Sequence, residues 1–382
     1  MDKYLLKYKE AMNKRCIIAC IMAFLVVMVL GCNSTKIKTK TNQQKVLPSN
    51  PVTTHQNDAF KNNGSYPFTL TMLDVGQGLC ILVRSGEECL VYDGGGRERS
   101  SYVVSFFKRN QIDKIKYLIA SHYDEDHISG LIGLLKTTSV STAIIPGYQA
   151  NTKIYTSFQS ALKNAGSVIY AKTGNQYKVG EARFEVLYAT DNTEEKENNK
   201  STIIRIVYKN FSCIITGDAA TETETKLVNR GEKLSCDLYV VGHHGSSSSS
   251  SPGFVAAMKP KLAFIGVGKD NKYNHPTKRV LKILDHNNST IYRTDTQGTV
   301  TLVHDGSKYK IHVTKDETKK QKPLPQAQQI KDFYVLNKKS MRFHRKDCKG
   351  VKNIVKYNIE YVYTSKDTLE KEGFEPCGFC KP

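Results

Sequence analysis

The chain has 382 residues, 39% of them hydrophobic, which is enough for a sizeable core and suits two domains plus tails better than one compact unit. Lys and Arg outnumber Asp and Glu by 56 to 36, a net charge of +20; this fits solubility, adhesion to an acidic cell surface, or a polyanionic partner steered in by positive charge. The ten cysteines show no disulfide framework, which argues against a small bridged scaffold, and Cys80, Cys89, Cys213 and Cys236 sit in strand-like runs as small buried hydrophobes.

Lys14 and Arg15 precede an apolar run, Cys16 to Leu30, that closes on Val29-Leu30-Gly31-Cys32. A basic flank, a short apolar core and a small residue before a cleavage point describe a secretory signal over residues 1–31. Fifteen apolar residues are short for a membrane span. The cysteine after that point resembles a bacterial lipobox, which implies a lipidated Cys32 and a membrane anchor on the extracellular face. Residues 32–66 are rich in Lys, Thr, Asn and Gln and read as a flexible tether.

From Tyr66 the pattern alternates. Strands are predicted over Phe68–Leu73, Leu79–Val83, Glu88–Tyr92 and Ile115–Ala120, with turns at Asp74–Gly78 and Asp93–Gly96 and a helix over Tyr102–Arg109. An apolar helix follows over Ile128–Leu135. Further strands are expected at Ala143–Ile145, Phe184–Tyr188, Ile203–Tyr208, Cys213–Ile215, Leu238–Val241, Leu262–Val267, Ile291–Thr294 and Val300–His304. Helices are expected near Tyr155–Ala165, Ala220–Arg230, Pro252–Met258 and Lys278–His286, and the serine run Ser246–Ser251 reads as a flexible loop. This is the pattern of an α/β layered domain.

Ligand-type side chains collect at strand ends. Ser121-His122-Tyr123-Asp124-Glu125-Asp126-His127 places four of them in six residues between a buried strand and an apolar helix. Buried imidazoles and carboxylates cost several kcal/mol unless they are paired or bind a metal. Asp218, the pair His243 and His244, and His275 follow three further strands. Separate strand ends along one sheet edge can bring such groups to a common point.

These stretches, with Leu73-Asp74-Val75-Gly76-Gln77-Gly78, Asp93-Gly94-Gly95-Gly96, Thr216-Gly217-Asp218-Ala219, Tyr273-Asn274-His275-Pro276 and Tyr292-Arg293-Thr294-Asp295, resemble the metallo-β-lactamase superfamily over residues 67–315. Within it they are similar to the soluble hydrolase domain of ComEC-type competence proteins, which serve DNA uptake. The resemblance implies a four-layer αββα sandwich with two divalent metal ions, zinc or manganese, at its edge. It puts the HxHxDH motif on His122, Asp124, Asp126 and His127, with Asp124 replacing the middle histidine, and the bridging carboxylate on Asp218. The last histidine ligand falls on His243 or His244, with His243 preferred because it follows Val-Gly at the strand end. The remaining first-site histidine has no counterpart; Asn199 or Ser201 occupies its neighbourhood. Leu79 stands where this branch often has aspartate.

Two neighbouring cations lower the pKa of a shared water for attack on phosphorus. Asp126 would then act catalytically by orienting the nucleophile, and His244 or His275 would protonate the leaving oxygen or hold the phosphate. The oxygen-rich ligand set brings manganese into competition with zinc.

After a Lys-, Gln- and Pro-rich linker over 316–331, residues 332–382 carry Phe343-His344, Cys348 and Cys377-Gly378-Phe379-Cys380. One His and three Cys suit a closed structural zinc site, and about fifty residues build little core without such a staple. The tail resembles the small zinc-binding module of the Ada DNA-repair type. Lys338, Lys339, Arg342, Arg345, Lys346, Lys349 and Lys352 give it positive charge, and Tyr334, Phe343 and Tyr361 are either core or base-stacking rings.

Together these features predict a lipid-anchored, secreted di-metal phosphodiesterase or DNase acting on extracellular nucleic acid or another polyanion. Hydrolysis of another ester (nucleotide, phosphocholine or lactam) and a non-catalytic surface binding protein are the alternatives. The membrane helices of the ComEC-type channel are absent from this sequence, which argues against transport by this chain alone.

Overall fold

The computed structural model describes residues 54–55, 67–315, 333–355, 358–371 and 373–382. The expected signal, Cys32, nearly all of the tether and the linker 316–331 lie outside the described residues. Among the described residues no helix is long and apolar enough to cross a membrane.

The first sheet opens with β1 (Thr54–His55), β2 (Phe68–Met72), β3 (Ile81–Ser85), β4 (Glu88–Tyr92), β5 (Lys114–Ile119), β6 (Ser139–Ile145) and β7 (Ala165–Tyr170). The second holds β8 (Gln176–Val179), β9 (Ala182–Tyr188), β10 (Ile203–Tyr208), β11 (Phe211–Ile215), β12 (Leu238–Val240), β13 (Leu262–Ile265) and β14 (Thr290–Arg293). The chain then returns to the first sheet as β15 (Val300–His304) and β16 (Tyr309–Val313). The orders are β1-β16-β15-β2-β3-β4-β5-β6-β7 and β14-β13-β12-β11-β10-β9-β8.

Side-chain alternation divides each strand between two cores. Leu90 and Tyr92 of β4 face the space between the sheets, as do Ile204 and Ile206 of β10 and Cys213 and Ile215 of β11. Cys89 and Val91 face outward, onto a core shared with the helices Ser100–Arg109, Glu125–Thr137 and Lys153–Leu162. Ile203 and Ile214 face the opposite outer core, formed with Thr221–Asn229, Pro252–Met258 and Lys278–His286. Helix, sheet, sheet, helix is the expected αββα order. Ser251 and Thr277 cap two of the outer helices by accepting from the Phe254 and Val280 N–H groups. Cys80, Cys89, Cys213 and Cys236 are buried and unbridged.

Strands β4 to β7 run parallel, and so do β11 to β14. Their C-terminal ends therefore carry Asp93, Ser121-His122, Asp218, Gly242–His244 and the loop to His275.

The serine run differs from expectation. Ser249 and Ser250 are fully buried; Ser249 Oγ donates to Gly242 O at 2.7 Å, and the Ser251 N–H donates to the buried Glu224 carboxylate at 2.7 Å. The Arg279 guanidinium donates to Ser249 O at 3.0 Å. Low complexity here marks small polar side chains, several of them buried and hydrogen-bonded, folded into a tight turn.

The tail forms its own sheet, ordered β19 (Ile359–Tyr363), β17 (Phe333–Asn337), β18 (Arg342–Arg345), β20 (Glu375–Pro376). Tyr334, Leu336, Phe343 and Leu369 make its small core. Tyr361 stacks on Phe333 and lies against the outer helix Pro252–Met258, where a Cβ on Gly253 would come within 2.8 Å of its ring. These three aromatics are accordingly structural, whereas the seven basic residues named above are exposed.

Candidate metal centre

Two overlapping groups of ligand atoms meet at the common strand edge: His122, His127 and Asp218, and Asp126, His127 and His244. The elements that carry them are pressed together. Gly94 N–H donates to His127 O at 2.7 Å, and Gly130 N–H donates to Gly95 O at 3.1 Å. A Cβ on Gly130 would lie 1.8 Å from Gly94 O, so only glycine lets the helix Glu125–Thr137 seat its first turn, with Asp126 and His127, on the end of β4.

Asp93 aims the imidazoles. It is fully buried; its carboxylate accepts from Ser121 N–H at 2.8 Å, Ser121 Oγ at 2.7 Å and His127 Nδ1 at 2.7 Å. A carboxylate only accepts, so His127 carries its proton on Nδ1 and turns Nε2 toward Asp218 Oδ1, 3.2 Å away. His122 Nδ1 lies 2.9 Å from the same Ser121 hydroxyl, leaving its Nε2 at the site, 3.5 Å from Asp124 Oδ2. His244 donates through Nδ1 to Gly266 O at 2.8 Å and turns Nε2 toward Asp126 Oδ2 at 3.2 Å and Asp218 Oδ2 at 3.7 Å. An outer partner on one ring nitrogen with the other left free is how metal-binding histidines are oriented.

The inner atoms are orphans. The Nε2 atoms of His122, His127 and His244 and the Asp218 Oδ1 are buried and make no hydrogen bond. Each such atom costs about 1–3 kcal/mol, and a cation at their meeting point satisfies several at once. The titration shifts agree. Burial alone would lower His127, yet Asp218, Asp93 and Asp126 hold it well above the usual imidazole range. Burial alone would raise Asp126 and Asp218, yet the neighbouring imidazoles hold both below the carboxylate range. The pocket demands positive charge. These residues fit divalent cations.

Of the two adjacent histidines, the geometry favours His244, not His243, as the ligand. Both have left-handed backbone, with φ of 55° and 50°, and the turn swings His244 inward. His243 stays at the rim, its Nδ1 3.0 Å from Ser248 Oγ and its Nε2 3.5 Å from Asp218 Oδ2. That placement also removes His244 from the proton-donor role expected for it. Asp124 flanks His122 but is half-exposed and outside both ligand groups. Asn199 accepts from Thr223 Oγ1 at 3.1 Å, and the Ser201 hydroxyl accepts from the Asp218 N–H at 3.1 Å; both serve the scaffold. His275 sits at the rim, its ring 5.6 Å from that of His243, and burial followed by His243 and His244 pushes its pKa down to about 4. Asp93 is the residue that motif reading missed as a site residue; its signal was an acid followed by three glycines at a strand end.

In the tail, the ligand atoms of His344, Cys348, Cys377 and Cys380 all lie within 4.8 Å of one another, with His344 Nδ1 3.5 Å from Cys348 Sγ. Burial raises the Cys377 thiol, but the N–H groups of Cys380 and Phe379 prevail and favour its thiolate. The set is compatible with a small zinc site.

The chain is 29% identical over 248 residues to ComE operon protein 3 of Bacillus subtilis, an alignment covering 60% of this chain and 32% of that protein. It is 28% identical over 231 residues to competence protein ComA of Neisseria gonorrhoeae, covering 60% and 31%. It thus spans about a third of the length of these curated relatives. Among solved structures it is similar to the metallo-beta-lactamase fold protein YhfI from Bacillus subtilis, at 15% identity and a TM-score of 0.40, covering 59% of this chain and 95% of that one. Residues 73–269, which carry Asp93, His122, Asp126, His127, Asp218 and His244, match the sequence model of the metallo-beta-lactamase superfamily, and the chain belongs to that superfamily.

Proposed function

We propose that this superfamily hydrolase cleaves phosphodiester bonds of extracellular nucleic acid and is tethered to the membrane through a lipid on Cys32. The reading is carried by the buried, unbonded nitrogens of His122, His127 and His244 grouped with the carboxylates of Asp126 and Asp218, a donor set that fits divalent cations. The similarity to competence proteins and the net charge of +20 support a nucleic-acid substrate.

Cations bound there supply water activation and neutralise charge that develops on the phosphate. His122, His127, His244, Asp126 and Asp218 would hold them, aimed by Asp93 and Gly266 O. Asp126, the more exposed of the two carboxylates, would orient the attacking water. His275 is uncharged at neutral pH, so it positions the phosphate by hydrogen bonding instead of by charge. The exposed lysines and arginines of the tail hold the polymer near the site.

The test is a nuclease assay with the full chain in detergent, supplied with manganese or zinc, on single- and double-stranded DNA. Asp126→Ala should abolish cleavage. Stoichiometric metal binding without hydrolysis of any phosphodiester would defeat the proposal.

A further inference from the structure

The metal centre continues outward as a ladder of rings. His243 contacts His275 edge to face at 5.6 Å, and Tyr273 stacks on His275 at 5.6 Å with 24° between the planes. Tyr273 is 53% exposed. It is the one exposed tyrosine among the described residues in ring contact with the site histidines.

Its loop is built to hold it there. Asn271 Nδ2 donates to Gly268 O at 3.0 Å and His275 O at 2.7 Å, while its Oδ1 accepts from the N–H groups of Tyr273 and His275 at 3.1 and 3.0 Å. One asparagine side chain thus closes the loop from within, and the tyrosine loses little further freedom when something stacks on it. Beside the loop lies a cavity of 610 Å³ lined by Asn274, His275, Lys278, Asp270 and the paired Arg293 and Asp295, whose side chains meet at 2.6 Å. The His275 Nδ1 is buried and makes no hydrogen bond. The Lys272 ammonium stands 5.2 Å from the Tyr273 ring centre on a flexible stem.

A flat aromatic face and lysine ammonium groups beside the proposed phosphodiesterase centre are the parts of a nucleotide subsite: ring to base, ammonium to phosphate. The geometry points to Tyr273 as a stacking platform for the base of the nucleotide next to the scissile phosphate in a single strand. A duplex keeps its bases stacked on one another and cannot use it, so the platform selects single strands. This inference rests on the phosphodiesterase reading.

The experiment measures kcat and KM on oligothymidylate for wild type, Tyr273→Ala and Tyr273→Phe, and fluorescence anisotropy of the same oligonucleotide on an Asp126→Ala background. Tyr273→Ala should raise KM and weaken binding roughly 5- to 100-fold, the range that loss of one stacked base gives. Tyr273→Phe should restore both, and on an all-abasic strand of equal length the alanine penalty should collapse. A penalty below about twofold, an equal penalty for phenylalanine, or an undiminished penalty on the abasic strand overturns the platform. If wild type cuts no phosphodiester, the proposed function fails separately, and anisotropy still decides the platform.

Discussion

Replacing Asp93 by asparagine tests whether one buried carboxylate aims the metal ligands. Three donors converge on it: Ser121 N–H at 2.8 Å, the Ser121 hydroxyl at 2.7 Å and His127 Nδ1 at 2.7 Å. Asparagine has a single acceptor oxygen, so in either orientation its amide NH2 faces a donor. With NH2 toward His127, the ring keeps its bond only by moving its proton to Nε2, the atom 3.2 Å from Asp218 Oδ1, and the lone pair meant for the cation is lost. With NH2 toward the Ser121 backbone, a buried N–H is stranded at about 1–3 kcal/mol. Loss of an outer partner of this kind lowers metal affinity about 10- to 100-fold. Competition titration of zinc or manganese against a fluorescent chelator reads the affinity, and thermal melting confirms that the variant is folded. A folded Asp93→Asn protein with wild-type metal affinity refutes the reasoning.

His244→Ala should lower affinity in the same titration by more than about 100-fold, beyond the effect of an outer partner, whereas His243→Ala should retain the full metal content; the opposite order would return the ligand role to His243. Burial lifts Glu224 to about 7 from an ordinary 4.5, with the Ser250 and Ser251 N–H groups opposing. The folded state therefore binds this proton more tightly, so the contribution is complete below about pH 4.5 and is lost as pH rises to about 7. The melting-temperature difference between wild type and Glu224→Gln should shift in favour of wild type on acidification across that window, and a flat difference counts against it. Cys377→Ser should remove about one zinc per chain and unfold the tail while the hydrolase domain keeps its melting transition; unchanged zinc content would show that the four side chains do not share an ion.

Much of this was legible in the residues. Strands β10 and β15 and the helices Pro252–Met258 and Lys278–His286 coincide with the residues expected, because clean periodicity runs up to a capping Ser or Thr or a turn. Strand β7 escaped notice because Ala165, Gly166 and Ser167 carry little β signal and the strand lies exposed at a sheet edge. Strand β16 alternates Tyr309, Ile311 and Val313 with Lys310 and His312, and its polar neighbours hid the pattern. In the site, the ligand types and their strand-end placement were readable. The choice between His243 and His244 was not, since two consecutive left-handed residues reverse which ring points inward. Nor was the order of the serine run, which depends on Glu224 and Arg279, residues distant in sequence.

The backbone-to-backbone seat of Gly130 on Gly94 has a further consequence. Imidazoles and carboxylates of the hydrolase centre are held by a large core, so loading there would be a matter of exchanging protons for cations within a packed frame. Among the described residues the tail's core cluster has four buried members, and its ion would be a member of that core. A chelator would thus meet two different opponents in one polypeptide. From the first it would extract cargo and leave the vessel standing; from the second it would take the keystone.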